Sequence, residues 1–215
     1  TTIAQRYPFA GTANATVKIG FVSTKGGRTK WVALDDDEVL GDDIYLTRVA
    51  WADDNRTAFV GVLARDHKTH RIYKIDSVTG KKDLFYEDTS PTWLNVGTLM
   101  RPTEDGGLLW TAERADKRQL FKIAADGAVT AMTPENLNLR GVSCLSDDAL
   151  YVSGWRDTPL SSHVFKITDG EATQVTTGEG RHYASFNKDC SRYLGGSHDR
   201  SPSEANGNDV ARTAA

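Results

Sequence analysis

Residues 119–133 read "QLFKIAADGAVTAMT", and nearly the same phrase occurs twice more, as "RIYKIDSVTGKKDLFY" at 71–86 and "HVFKITDGEATQVTT" at 163–177. Each copy has an aromatic-Lys-Ile core, a short turn of Gly, Asp, Thr or Ser, and a second alternating run, which is the pattern of a β-hairpin. The shared lysines Lys74, Lys122 and Lys166 lie 48 and 44 residues apart. A period near 45 residues marks a repeat architecture.

Upstream of each hairpin stands a second recurring phrase, an apolar run, an acidic or Gly turn, and another apolar run. The copies are "RVAWADDNRTAFVGVLA" (48–64), "GTLMRPTEDGGLLWTAE" (97–113) and "RGVSCLSDDALYVSGW" (140–155). The turn acids Asp54, Asp105, Asp148 and Asp189 keep the same phase, at intervals of 51, 43 and 41 residues. Four strands per repeat, with no helical periodicity, predict an all-β fold, part of a β-propeller with four-stranded antiparallel blades. A single twisted sheet with two apolar faces cannot cover both, so the repetition is a packing requirement.

Whole blades are expected at about 45–87, 94–134 and 138–177. The pair "TVKIGFVS" (16–23) and "TKWVALD" (29–35) has the character of the second half of a blade, and "RHYASF" (181–186) with "SRYLGG" (191–196) that of a first half. The expected content is therefore half a blade, three whole blades and half a blade. One partial propeller domain spans 1–200, and "SPSEANGNDVARTAA" (201–215) has the composition of an irregular tail without strand pattern. Open half-blades present unpaired edges, which close on each other in one chain, pair two chains into a homodimer, or mark the chain as a segment of a larger propeller.

The net charge of −3, with both signs mixed along 215 residues, argues against a nucleic-acid partner. No apolar run approaches the ~18–20 residues of a membrane span, and Thr1-Thr2 opens the chain without a charged-then-apolar leader, as in a cut or processed soluble chain. Cys144 and Cys190 sit at matching places in successive repeats; one disulfide is open to them, but two buried free thiols is the favoured reading. Trp51 and Phe121 are expected to face neighbouring blades.

Candidate chemistry is sparse. "GGSHD" (195–199) departs from the G-x-S-x-G elbow at its last position and has no following helix, so Ser197 is not read as a nucleophile. His67 and His70 in "HKTH" have metal-like spacing but no third ligand nearby, and a solvated turn is favoured. The acids Asp35, Asp36, Asp37, Glu38, Asp42 and Asp43 lack calcium-loop spacing and read as a solvated loop. Glu113 and Arg114 close a strand beside Asp116, Lys117 and Arg118, where a surface ion-pair cluster is favoured over a ligand-facing role. No catalytic residue, metal ligand or cofactor site is assigned.

"QRYPFAGTANATVKIGFV" (5–22) resembles the middle of the propeller domain of dipeptidyl peptidase IV-like serine peptidases. "DIYLTRVAWADD" (43–54), "VLARDHKTHRIYKIDSVTG" (62–80), "PTW" (91–93), "LLWTAERADKRQLFKI" (108–123) and "LYVSGWRDTPLSSHVFKI" (150–167) follow in the family's order. The resemblance implies an eight-bladed propeller followed by an α/β-hydrolase domain with a Ser-Asp-His triad, releasing N-terminal Xaa-Pro or Xaa-Ala dipeptides. On this reading the family's paired glutamates fall before Thr1 and the triad after Ala215. The chain would then be an inactive, substrate-gating propeller segment whose partners are the peptide and the missing hydrolase domain.

The resemblance also implies that Met100-Arg101-Pro102 occupies an aromatic-Arg-Pro step near the extended substrate, with Met100 replacing the aromatic. Arg101, from this resemblance, and Glu113 and Arg114, from the charged cluster read above, are the substrate-proximal candidates. Phe9 stands where a basic residue is common and Ala15 where Pro is usual, and the animal enzymes' cysteines lack counterparts, which implies a bacterial-type member, periplasmic or secreted. The alternative is a stand-alone propeller scaffold for protein–protein interaction.

Overall fold

The computed structural model describes residues 9, 11–34, 37–114, 116–199 and the backbone of 210–213. Among these residues the regular structure is entirely β. Three sheets are four-stranded meanders with neighbours in chain order: β3 (Ile44–Trp51) to β6 (Lys82–Thr89) through β4 (Thr57–Ala64) and β5 (Thr69–Asp76); β7 (Met100–Pro102) to β10 (Val129–Ala131) through β8 (Leu108–Arg114) and β9 (Lys117–Ile123); and β11 (Asn138–Leu145) to β14 (Glu171–Gln174) through β12 (Leu150–Trp155) and β13 (His163–Thr168). They coincide with the three whole repeats. The half-repeats form a two-stranded sheet, β1 (Ile19–Phe21) with β2 (Lys30–Val32), and a three-stranded sheet, β15 (Arg181–Phe186), β16 (Arg192–His198) and β17 (Val210–Thr213).

The last strand corrects the reading of 201–215 as strandless. Val210–Thr213 pairs antiparallel with Arg192–Gly195 of β16. Its four residues are too few to show alternation in the sequence, and the pairing comes from the free edge of β16, which offers unsatisfied backbone groups to any chain that reaches it.

The strands fall into two compact units. In the first, β4 is buried along nearly its whole length, as expected of a central strand covered on both faces. Ala58, Val60, Val62 and Ala64 alternate onto a core shared with Tyr73 and Ile75 of β5, Val32 of β2, and Leu34, Leu40 and Ile44. Phe59 points the other way, edge-on to Phe85 at 5.1 Å. Trp51 meets Phe21 of the neighbouring β1–β2 sheet edge-on at 5.5 Å, although it stays 51% exposed; Phe121 is only half-buried, and Trp110, Phe59 and Phe165 are the fully buried aromatics.

In the second unit the β11–β14 sheet is covered on both sides. Leu150 and Val152 of β12 pack with Leu109 and Leu120 of the preceding sheet. Tyr151, between them in sequence, turns to Val164, Cys190 and the partly buried Phe186 and Ala184 of the following sheet. One strand thus supplies two interfaces through its period of two.

Two of the repeated turn acids, Asp54 and Asp189, fasten their hairpins. Asp54 accepts hydrogen bonds from the Arg56 and Thr57 amides at 2.9 and 2.8 Å and from Thr57 Oγ1 at 2.6 Å. These donors hold its carboxyl down to about 2. Asp189 accepts in the same way from the Ser191 amide and hydroxyl. The phase of the acids is therefore the phase of the turns.

Two further expectations are corrected. Asp37 is not a solvated loop residue: it is nearly buried, ion-paired with Arg71 at 2.5 Å and hydrogen-bonded by the Tyr73 hydroxyl, while Arg71 also holds Glu87 at 2.6 Å. A guanidinium presents several donors in one plane, so a single β5 arginine ties this loop and β6 together. Asp35 and Asp36 lie outside the described residues. Cys144 and Cys190 are joined in a disulfide, with Cα atoms 5.9 Å apart. Their separation of 46 residues is one repeat, and stacking of successive sheets brings the end of β11 against the β15–β16 turn, a juxtaposition that composition does not reveal.

Replacing both cysteines by Ala is expected to lower unfolding free energy by about 2–5 kcal/mol, because a cross-link closing a loop of this length restricts the unfolded chain. Denaturant titration of both forms measures it, and an unchanged midpoint would refute a structural role for the bridge. His70 sets the pH response of the first unit: it is 2% exposed, with Nε2 2.9 Å from Thr47 Oγ1, and burial holds its pKa down to about 4. The neutral ring is the one that folds. Its contribution is fully present above about pH 6.5 and is lost as pH falls towards 4, because the unfolded chain takes up a proton that the folded chain refuses. The loss is about 3 kcal/mol. Urea titrations between those pH values are expected to show this fall, and His70→Gln to flatten it.

Candidate functional site

Glu113 and Arg114 are consecutive at the end of β8, and alternation sends them to opposite faces. Glu113 stands directly across from Arg118 of β9, whose Nη2 meets its Oε1 at 3.2 Å. Such a cross-strand pair is the sheet counterpart of a helical ion pair and contributes modestly where exposed. Arg114 instead lies over the Phe121 ring at 5.7 Å and donates from Nη1 to the Glu113 carbonyl at 2.9 Å.

Arg101 is not brought to them. The Leu99 amide donates to Thr111 Oγ1 at 3.3 Å; from that bond Arg101 lies two residues towards the hairpin turn and Glu113 two residues the other way. At ~3.3 Å per residue this separates them by ~13 Å along the strand. Arg101 is exposed on β7.

Glu113 and Arg118 form one wall of a cavity of about 500 Å³ at the common end of two successive sheets. Asp116, in the β8–β9 turn, lines it from a left-handed backbone (φ 62°). The opposite wall is Asn138, Leu139 and Arg140 at the start of β11, with Trp155 at the end of β12 and Pro159 beyond it. The Arg118 amide donates to Asn138 Oδ1 at 3.3 Å, binding one sheet to the next beside the cavity. Gly154 is required there, since a Cβ on it would fall 2.4 Å from the Asn138 carbonyl oxygen. The site therefore offers two guanidiniums, two carboxylates, an amide and an indole wall, a set suited to binding and orienting a polar ligand.

Sequence reasoning reached Glu113 and its charged neighbours but missed Asn138, Arg140, Trp155 and Pro159. They lie in the next repeat, and the one available signal was the repeat phase, which sets the start of each first strand beside the previous sheet.

The other candidates resolve as structure. His70 is a buried residue of β5, not part of a solvated turn. His67 stacks on Trp93 with centroids 3.9 Å apart, and Tyr45 meets it edge-on. No group of three potential metal-binding side chains occurs among the described residues. Ser197 lies inside β16, paired across to His182, rather than on a turn. No helix of the described residues is long and apolar enough to cross a membrane.

Solved structures with similar folds include Porphyromonas gingivalis dipeptidyl peptidase 4, at TM-score 0.78 and 19% identity over 89% of this chain and 27% of that one. Oligogalacturonate lyase from Vibrio parahaemolyticus matches at TM-score 0.58 and 18% identity, covering 90% of this chain and 64% of that one. TolB from Acinetobacter baumannii matches at TM-score 0.51 and 16% identity, covering 91% and 48%. The chain thus spans only part of each protein it matches, and at these identities the likenesses speak for the fold alone, an all-β, propeller-like one. The model of the dipeptidyl peptidase IV N-terminal region matches residues 1–202, nearly the whole chain, and the chain therefore belongs to that family.

Proposed function

We propose that this chain gates and positions peptide substrate in a dipeptidyl peptidase IV-like serine peptidase that releases Xaa-Pro or Xaa-Ala dipeptides, the bond being cut by a separate α/β-hydrolase domain. The family match over residues 1–202 is the observation that carries this reading. Binding a peptide in one orientation supplies part of the barrier reduction without chemistry at the wall itself.

Of the three candidates Arg101 supports the reading best. Its side chain is exposed, and among the described residues it makes no ion pair, so it is available to a peptide carbonyl or carboxylate. Glu113 is shared with Arg118, and Arg114 rests on Phe121. The disulfide supports an oxidising compartment, periplasmic or secreted. The free edges of the end sheets are where further blades or a second copy would add.

In the polypeptide that joins this chain to a hydrolase domain, Arg101→Ala is expected to raise KM for Xaa-Pro peptides of four or more residues about tenfold while kcat stays within about twofold. The 215-residue chain alone is expected to show no turnover. An unchanged KM would remove Arg101 from substrate positioning. Absence of Xaa-Pro hydrolysis by the whole polypeptide would favour the scaffold reading instead.

A further inference from the structure

We propose that the cavity between the β8–β9 turn and the start of β11 binds short zwitterionic peptides, taking a free ammonium group on Asp116 and a free carboxylate on Arg140. The proposal stands on this cavity alone and does not require the peptidase reading.

Four charged side chains line the space, and they are not equivalent. Glu113 and Arg118 are paired with each other. Asp116 and Arg140 are exposed, and among the described residues neither has an ion-pair or hydrogen-bond partner. The cavity therefore presents one uncommitted carboxylate and one uncommitted guanidinium, contributed by different sheets. A ligand carrying a single charge satisfies one and leaves the other to solvent, whereas a zwitterion satisfies both.

The body of the ligand has its own surface. Trp155 and Pro159 supply a rigid apolar wall against which a small or prolyl side chain packs. Asn138 spends its Oδ1 on the Arg118 amide, which leaves its amide nitrogen as a donor for a ligand carbonyl. A volume of about 500 Å³ lies in the range of small-molecule sites and holds a ligand of dipeptide size. Arginine rather than lysine suits a terminal carboxylate, because the fork accepts it in a bidentate manner.

The test is isothermal titration of the folded chain with Ala-Ala, N-acetyl-Ala-Ala and Ala-Ala-amide. Saturable binding of the free dipeptide is expected, with each blocked form about tenfold weaker. Arg140→Gln is expected to erase the preference for a free carboxylate and Asp116→Asn the preference for a free amine. Both substitutions keep the fold, since Arg140 is exposed and asparagine tolerates the left-handed conformation at 116. Trp155→Phe is expected to weaken all three peptides together. The proposal is overturned if the folded chain does not bind Ala-Ala saturably, if the blocked peptides bind equally well, or if either charge variant leaves its preference intact.

Discussion

A four-stranded sheet with apolar side chains on both faces is stable only when both faces are covered, and this constraint organises the whole chain. β12 shows it in three consecutive residues: Leu150 and Val152 face one neighbouring sheet, and Tyr151 faces the other. Every sheet of this kind needs another on each side, so the sequence repeats. The most deeply covered strand, β4, carries no charged residue, and charge sits on the outer strands, at strand ends and in the turns.

The candidate site follows from the same arrangement. Sheets packed face to face leave gaps where their strand ends diverge, and such a gap is lined by the turn of one repeat and the first strand of the next. This is how Glu113 and Arg118 come to share a cavity with Arg140 and Trp155. A cavity made of strand ends changes its chemistry by substitution at the rims, without disturbing the core.

Much of this was legible in the sequence, and the reasons for the failures are specific. The hairpin phrase fixes strand number and phase, because a period of two and a turn acid are local signals; the whole blades fall where the repeats do. The sequence favours free thiols over the Cys144–Cys190 bridge because its partners meet only when sheets stack. His70 was placed in a turn because its neighbours are polar, although its own side chain faces inward from β5. Glu113 and Arg114 were read as one feature because adjacency in sequence suggests adjacency in space, which alternation on a strand reverses. The strand at Val210–Thr213 carries no pattern of its own and exists through its pairing with β16.

Amide hydrogen exchange followed by mass spectrometry tests most directly the claim that the repeat is a blade stabilised through its middle hairpin. The slowest exchange is predicted in the paired central strands, β4 with β5, β8 with β9, and β12 with β13, recurring once per repeat. Faster exchange is predicted in the short outer strand β10 and in β1–β2. Slow exchange confined to the outer strands, or protection without that recurrence, would contradict the account.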